Sequence, residues 1–383
     1  MAPSRPHATA AARYDPQGGS MLFRKLPQET RDQVYAELFA ATRFNIGERP
    51  VGRTKRLKFR PTPNGLALVR TCRRAHAEVG SSWLRHVSFF FEELPTMLDK
   101  LSALPPDALA QLRHVTVRGK RMWIGHPEDD DPPVYYSLAA ALKLLPGLQL
   151  DRLTVLGEPT VRIGYKTLTD LISHGNGWKT LRYISHSSAL LGFAAPIGHY
   201  MAMDSYQRSL QPTHWQTLMD ARDGAASSPS VAVYQAKEPS VCGAILDPTK
   251  RVKFEQKLED GEDDEAVTRA ADLALTTEDG LKKEMMVVVR RGTGVAYAET
   301  EDSPLLEDDM RHDIPGILWE DIRYMGMVRD EDEDGDYSSD ASGEPGNWPF
   351  SNPRMEPCVW DKYEHVDDYG WTEGHMHDNI FTF

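Results

Sequence analysis

The sequence predicts a mixed chain of α+β or α/β class in three parts. These are a small helical module at the N-terminus, a leucine-rich body of helix–strand units, and an acidic disordered tail. Two segments near the N-terminus carry apolar residues at helical spacing. From Leu94 onward, leucine faces of helical period alternate with short strands that close on glycine. From Arg329 the chain becomes dense in acids, Gly, Ser and Pro, and such a composition buries too little apolar surface to offset the entropy of ordering.

Residues 1–20 contain no apolar stretch of the signal-peptide type and read as a disordered lead-in. Residues 21–38, MLFRKLPQETRDQVYAEL, are the organising stretch of the N-terminal module. Leu26-Pro27 forms an elbow, and Pro suits the first turn of a helix because its missing N–H loses no bond there. Gln28, Glu29 and Asp32 follow near the positive end of the helix dipole. Val34, Tyr35, Leu38 and Phe39 then form one apolar stripe, which can dock on a partner or on the next helix. In that next helix, after the turn signal Asn64-Gly65, Leu68, Cys72, Ala75, Val79 and Trp83 recur at steps of three and four. Arg70, Arg73, Arg74 and Glu78 are expected on its other face. A β-like run, Val87-Ser88-Phe89-Phe90-Phe91, closes the module at about residue 92.

The order Leu-Pro-Gln-Glu-Thr-Arg-Asp-Gln-Val-Tyr, then Leu-Val-Arg-Thr-Cys-Arg-Arg-Ala-His-Ala-Glu-Val and a Phe-rich strand, resembles the F-box-like domain common in filamentous fungi. There the segments read Leu-Pro-x-Glu-Ile-Arg-x-x-Ile-Tyr and Thr-Cys-Arg-x-x-x-x-Glu. The resemblance covers residues 21–91. It departs at Thr30, where the family favours an aliphatic residue, and at His86-Val87, where the strand normally begins with Asn-Thr. It implies docking through Leu26, Pro27, Val34, Tyr35 and Leu38 onto the Skp-type linker of a cullin ubiquitin ligase. It also implies that the body presents a substrate protein.

Between the two helices, residues 41–63 are expected to be an insertion loop. Arg49, Arg53, Lys55, Arg56, Lys58 and Arg60 make it a basic patch, of nuclear-import or phosphate-binding type or simply solvated. Phe44 and Phe59 are not interleaved with these cations as a base-stacking platform requires.

The body, residues 93–200, begins with Leu94, Met97, Leu98 and Leu101 on one helix face, followed by the strand-like Leu112-Arg-His-Val-Thr-Val-Arg-Gly119. Leu138, Leu142 and Leu145 precede Leu150-Asp-Arg-Leu-Thr-Val-Leu-Gly157, which matches the first strand at Leu, at Thr-Val and at the final Gly. Leu168, Leu171 and Ile172 precede a weaker copy, Leu181-Arg-Tyr-Ile-Ser185. Such units build a short parallel sheet through right-handed crossovers, in the irregular manner of leucine-rich repeats. Val115, Leu153 and Ile184 are expected to point into one core. An ordinary α/β core sharing a strand pattern is the alternative. Residues 201–328 read as a mixed region or subdomain, with a helix at Trp215 and Leu218 and strands at 231–234 and 285–290.

The formal charge of −13 conceals an asymmetry. Residues 1–85 hold 16 Lys/Arg against 6 Asp/Glu, whereas residues 299–383 hold 5 against 24. Head and tail should attract, and the tail discourages nonspecific nucleic-acid binding. Three widely separated cysteines, Cys72, Cys242 and Cys358, argue against a disulfide framework or structural zinc and fit a reducing cytoplasmic or nuclear setting. No stretch approaches the ~20 apolar residues of a membrane helix. In the tail, Asp330-x-Asp332-x-Asp334-Gly335 begins like a calcium loop, but position twelve is Ala341 and not Glu. His375-x-His377 with His365, Asp378 and Cys358 could meet a transition metal, but two exposed histidines on a disordered tail rarely make a specific site. Gly292-Thr-Gly294 lacks a third glycine. Cys72 with His76, one helical turn apart, could formally pair as thiolate and imidazole, but Cys72 belongs to the apolar stripe and reads as a buried structural cysteine. No catalytic constellation, cofactor loop or metal site emerges, so the expectation is a non-enzymatic interaction protein. The alternatives are a scaffold whose helical module only caps the body and a nucleic-acid- or chromatin-associated factor using the basic insertion.

Overall fold

A computed structural model describes residues 19–46, 66–125, 134–256, 278–329 and 368–370, apart from positions 72, 159, 193, 197–205, 242, 307–308, 314–315, 317 and 326. The expected acidic tail thus lies outside the described residues except for 368–370, and the basic patch at 49–60 lies outside them entirely.

The N-terminal module starts with α1 (Met21–Lys25) and α2 (Gln28–Ala40). Leu26 between them is extended, at φ −89° and ψ 130°, because a residue before proline is sterically barred from the helical region. Pro27 therefore opens α2 from the N-cap position, and its carbonyl accepts the first helical bond, from Arg31 N at 3.1 Å. Strand β1 (Arg43–Ile46) follows at once. Here the structure corrects the expected loop of residues 41–63. Phe44 and Ile46 are buried, and the Phe44 ring packs against Phe89 at 5.8 Å and Trp83 at 6.0 Å. Helices α3 (Ala67–Thr71) and α4 (Arg73–Val79) then lead to β2 (Ser88–Phe91).

The body continues with α5 (Leu94–Leu101), α6 (Pro106–Leu109), β3 (His114–Arg118), β4 (Met122–Ile124), β5 (Val134–Tyr136) and α7 (Leu138–Leu142). After these come β6 (Leu150–Leu156), α8 (Val161–Ser173) and β7 (Trp178–Ser185). Strands β1, β2, β3, β6 and β7 lie side by side in chain order, every neighbouring pair parallel. The expected parallel neighbours are therefore present. Val115 stands opposite Leu153, and Leu153 opposite Leu181, and all three are buried in the main core. The third copy is displaced by three residues from the sequence alignment. Trp178, not Leu181, pairs with Leu150, so Ile184 aligns with Leu156 and enters a second cluster instead of the main core. Alternation with period two assigns the face, and an odd shift of three exchanges it.

The glycines that end the copies are needed for close approach. Gly119 N donates to the Leu156 carbonyl and Gly157 N to the Ile184 carbonyl, each at 2.7 Å. A Cβ on Gly157 would sit 2.6 Å from the Tyr183 ring.

Beyond β7 lie the short hairpin β8 (Ala194–Pro196) and β9 (Tyr206–Arg208), then α9 (Thr213–Asp223), which stops at Gly224 with φ 80°. Strands β10 (Ser230–Ala236), β11 (Arg251–Phe254) and β12 (Met285–Arg290) add antiparallel to the edge of the same sheet, in the order β11-β10-β12-β7. These three strands thus extend the sheet of the body. Strand β13 (Val328–Arg329) pairs with β4 in a three-stranded sheet, and β14 (Asp368–Gly370) lies parallel to β1 at the far edge of the main one.

One apolar core, running from Tyr35 to Met327, joins the module, the helices and one face of this sheet. At its rim the Lys143 ammonium and Glu299 carboxylate pair at 3.3 Å with both side chains fully buried, and Lys143 also donates to the His174 carbonyl at 3.0 Å. Burial pushes the Lys143 ammonium below its ordinary range against the pull of Glu299. The pair ties α7 to the strand-like segment around Glu299, whose N–H donates to Leu148 O at 2.9 Å.

Candidate functional site

The two segments that carry the family resemblance meet through one carboxylate. Arg31, third residue on from Gln28, is 5% exposed and faces α4. Its Nε and Nη2 donate to the two Glu78 oxygens at 2.9 and 2.8 Å, and Nη1 donates to the Leu26 carbonyl at 2.7 Å. Nη2 also donates to Gln28. Tyr35 hydroxyl at 3.1 Å and Arg74 Nε at 3.1 Å complete the Glu78 shell. Phe23 of α1 lies beneath, with the Arg74 guanidinium 4.6 Å and the Arg31 guanidinium 5.7 Å from its ring centroid. Burial acts to raise the Glu78 carboxyl, but the bonds from Arg31, Arg74 and Tyr35 outweigh it and hold the group below the usual carboxylate range. The same bond from Glu78 raises the Arg31 guanidinium. A bidentate arginine fork fixes both distance and rotation between helices, which a lysine would not do.

This arrangement divides α2 into two sides. Arg31, Tyr35 and Phe39 face inward, and Tyr35 and Phe39 join the main core. Pro27, Val34 and Leu38 are exposed on the outer side, Val34 at 43% and Leu38 at 38%. Leu26 and Thr30 are half-buried between them. The sequence grouped Tyr35 with Val34 and Leu38; the structure separates it, because its hydroxyl is committed to Glu78. The sequence also assigned Glu78 to the outward face of α4, whereas it points at α2. The available signal was that Arg31 is the lone cation of the first motif segment and Glu78 the lone acid of the second, each at a helical step from the apolar positions.

The remaining expected residues are not brought together. Arg49, Arg53, Lys55, Arg56, Lys58 and Arg60, Cys72, Asp330 to Gly335 and the tail histidines lie outside the described residues. Gly292 and Gly294 sit in the turn after β12, where Gly292 N donates to Asp223 at 2.8 Å and Gly294 has φ 78°. Among the described residues, no group of three His, Cys, Asp or Glu side chains is placed to hold a metal. Nor is any described helix long and apolar enough to cross a membrane. Comparison of the chain with protein-family models, curated proteins and solved structures finds no match.

Proposed function

We propose that this chain is a non-enzymatic interaction protein whose N-terminal module docks a partner through the outer side of α2. The observation that carries this reading is the pairing of exposed Val34 and Leu38 with a rigid inner side held by Arg31 and Glu78. Two apolar side chains one turn apart, aimed by a proline elbow, form a short ridge that costs little ordering entropy on binding. By resemblance, the partner is the Skp-type linker of a cullin ubiquitin ligase, and the sheet body presents a substrate protein for ubiquitin transfer. A second reading, in which the module only caps a scaffold, draws on Tyr35 and Phe39, which close the core over Trp83 and Phe89. The readings differ at Val34 and Leu38, which a pure cap leaves without use. The test is co-purification of the Skp-type linker with the tagged chain from a fungal cell. Recovery by the wild type and loss on Val34→Glu with Leu38→Glu is expected. No recovery by the folded wild type would sink the adaptor reading and leave the scaffold.

A further inference from the structure

The second face of the main sheet is unused by the docking reading, and topology leaves it without the connecting helices. Strands β1, β2, β3, β6 and β7 advance in one direction without reversal. Right-handed crossovers then place every connecting helix on the same side. The other side holds a small apolar cluster, including Phe90, Leu156, Ile184 and Met286, with Ile245 covering one end. Its remaining surface carries arginines. Arg43, Arg152 and Arg290 lie in one register row across the sheet, with Ser88, His114 and Thr180 at the intervening strands, and burial holds the His114 imidazole below its ordinary range. Arg182 stands one step along, and Arg251 at the end over the Tyr234 ring at 4.8 Å. Arg43 lies over Phe90 at 4.5 Å. Burial, then Arg152, Arg251 and Arg290, all push the Arg182 guanidinium down, so its shifting neighbours are all cations. Acids also stand on or beside this face: Asp151 next to His114 and 3.9 Å from Arg113, Glu92 paired with Arg118 at 2.8 Å, and Asp368 opposite Arg43.

We propose that this basic face is the docking surface of the chain's own acidic C-terminal segment, residues 330–367. Charge selects it. The segment holds twelve Asp/Glu against Arg354 and Lys362, and six of the acids fall in residues 330–336. Position selects it as well. The described chain leaves at Arg329 in β13 and returns at β14, where Asp368 stands opposite Arg43, the first cation of the row. The row spans five inter-strand steps, roughly 24 Å at the usual strand spacing. The intervening residues reach about 125 Å when fully extended, so length is no obstacle. Each exposed pair is individually weak, but tethering supplies a high effective concentration, so the contact is reversible and salt-sensitive. An external polyanion must displace the tail to reach the face.

The test is fluorescence anisotropy of a labelled oligothymidylate with the full chain. A second form has Asp330, Glu331, Asp332, Glu333, Asp334 and Asp336 changed to their amides. Thermal melting by circular dichroism confirms that each form is folded. The tail-neutralised chain is expected to bind at least about tenfold tighter than wild type at ~50 mM salt, and to lose that gain near ~200 mM salt. The gain must also vanish when Arg152→Glu and Arg290→Glu, both on exposed positions, are added. Unchanged binding on tail neutralisation, or a gain that survives those two substitutions, overturns the proposal. Equally tight binding by wild type, abolished by Arg152→Glu, assigns the face to nucleic acid and overturns it too. None of these outcomes depends on whether α2 docks a ligase linker.

Discussion

The two faces of the main sheet are built from the same strands but differ in chemistry, one packed under helices by the main apolar core, the other combining a small apolar cluster with a row of arginines. Along β6, Leu153 and Val155 are fully buried against the helices, while Arg152 is exposed and Thr154 half-buried on the other side. Helix α2 repeats the contrast, with Tyr35 and Phe39 inward and Val34 and Leu38 outward. In both places the inward side fixes the structure and the outward side is left available. Stability and interaction should therefore respond to different residues, even immediate neighbours in sequence.

The largest expected effect is at the buried rim of the helix-covered face. Glu299→Ala strands the Lys143 ammonium without its counter-charge, and should cost about 3–5 kcal/mol in denaturant unfolding. Adding Lys143→Met should recover most of that loss, since a buried pair replaced by apolar groups is close to neutral. Next comes the face contrast itself. Leu153→Ala should cost about 2–5 kcal/mol, whereas Thr154→Ala, one residue on and facing the open side, should stay within ~0.5 kcal/mol. Equal losses at the two positions would break the comparison.

A pH dependence follows from His186, at the end of β7. Burial pushes its imidazole down to about 4. The unfolded chain takes up a proton near the ordinary histidine value of ~6.5, but the folded chain does not until far lower pH. Stability should thus be unaffected above ~6.5, fall as pH drops through the window towards 4, and lose up to ~3 kcal/mol from this group. His114, His174 and His214 are lowered by burial in the same sense, so His186→Leu should remove part of the slope. At still lower pH, protonation of Glu78 should add a further loss, because its folded carboxyl lies below the unfolded value. A slope unchanged by His186→Leu would show that the imidazole is not desolvated.

Much of this layout was legible in sequence because it rests on local period. The Leu-Pro elbow, the helix faces at Leu94 to Leu101 and Leu168 to Ile172, and the strands at 114–118 and 150–156 all follow from spacing alone. What was not legible depends on partners far apart in the chain. The three-residue shift of the third copy is set by Trp178 against Leu150, and β1 exists because Phe44 finds Trp83 and Phe89. Glu78 looked like a surface charge until Arg31, 47 residues away, was placed against it. The arginine row combines single residues from β1, β6 and β12, which only the register of the sheet brings together.

Calorimetric titration with a purified Skp-type linker tests most directly whether α2 keeps its fold with one side and binds with the other. The wild-type chain should bind, and Val34→Ala with Leu38→Ala should weaken the complex by roughly one to two orders of magnitude while leaving the melting temperature nearly unchanged. Binding that is absent in the folded wild type, or unaltered by the double substitution, would contradict that division.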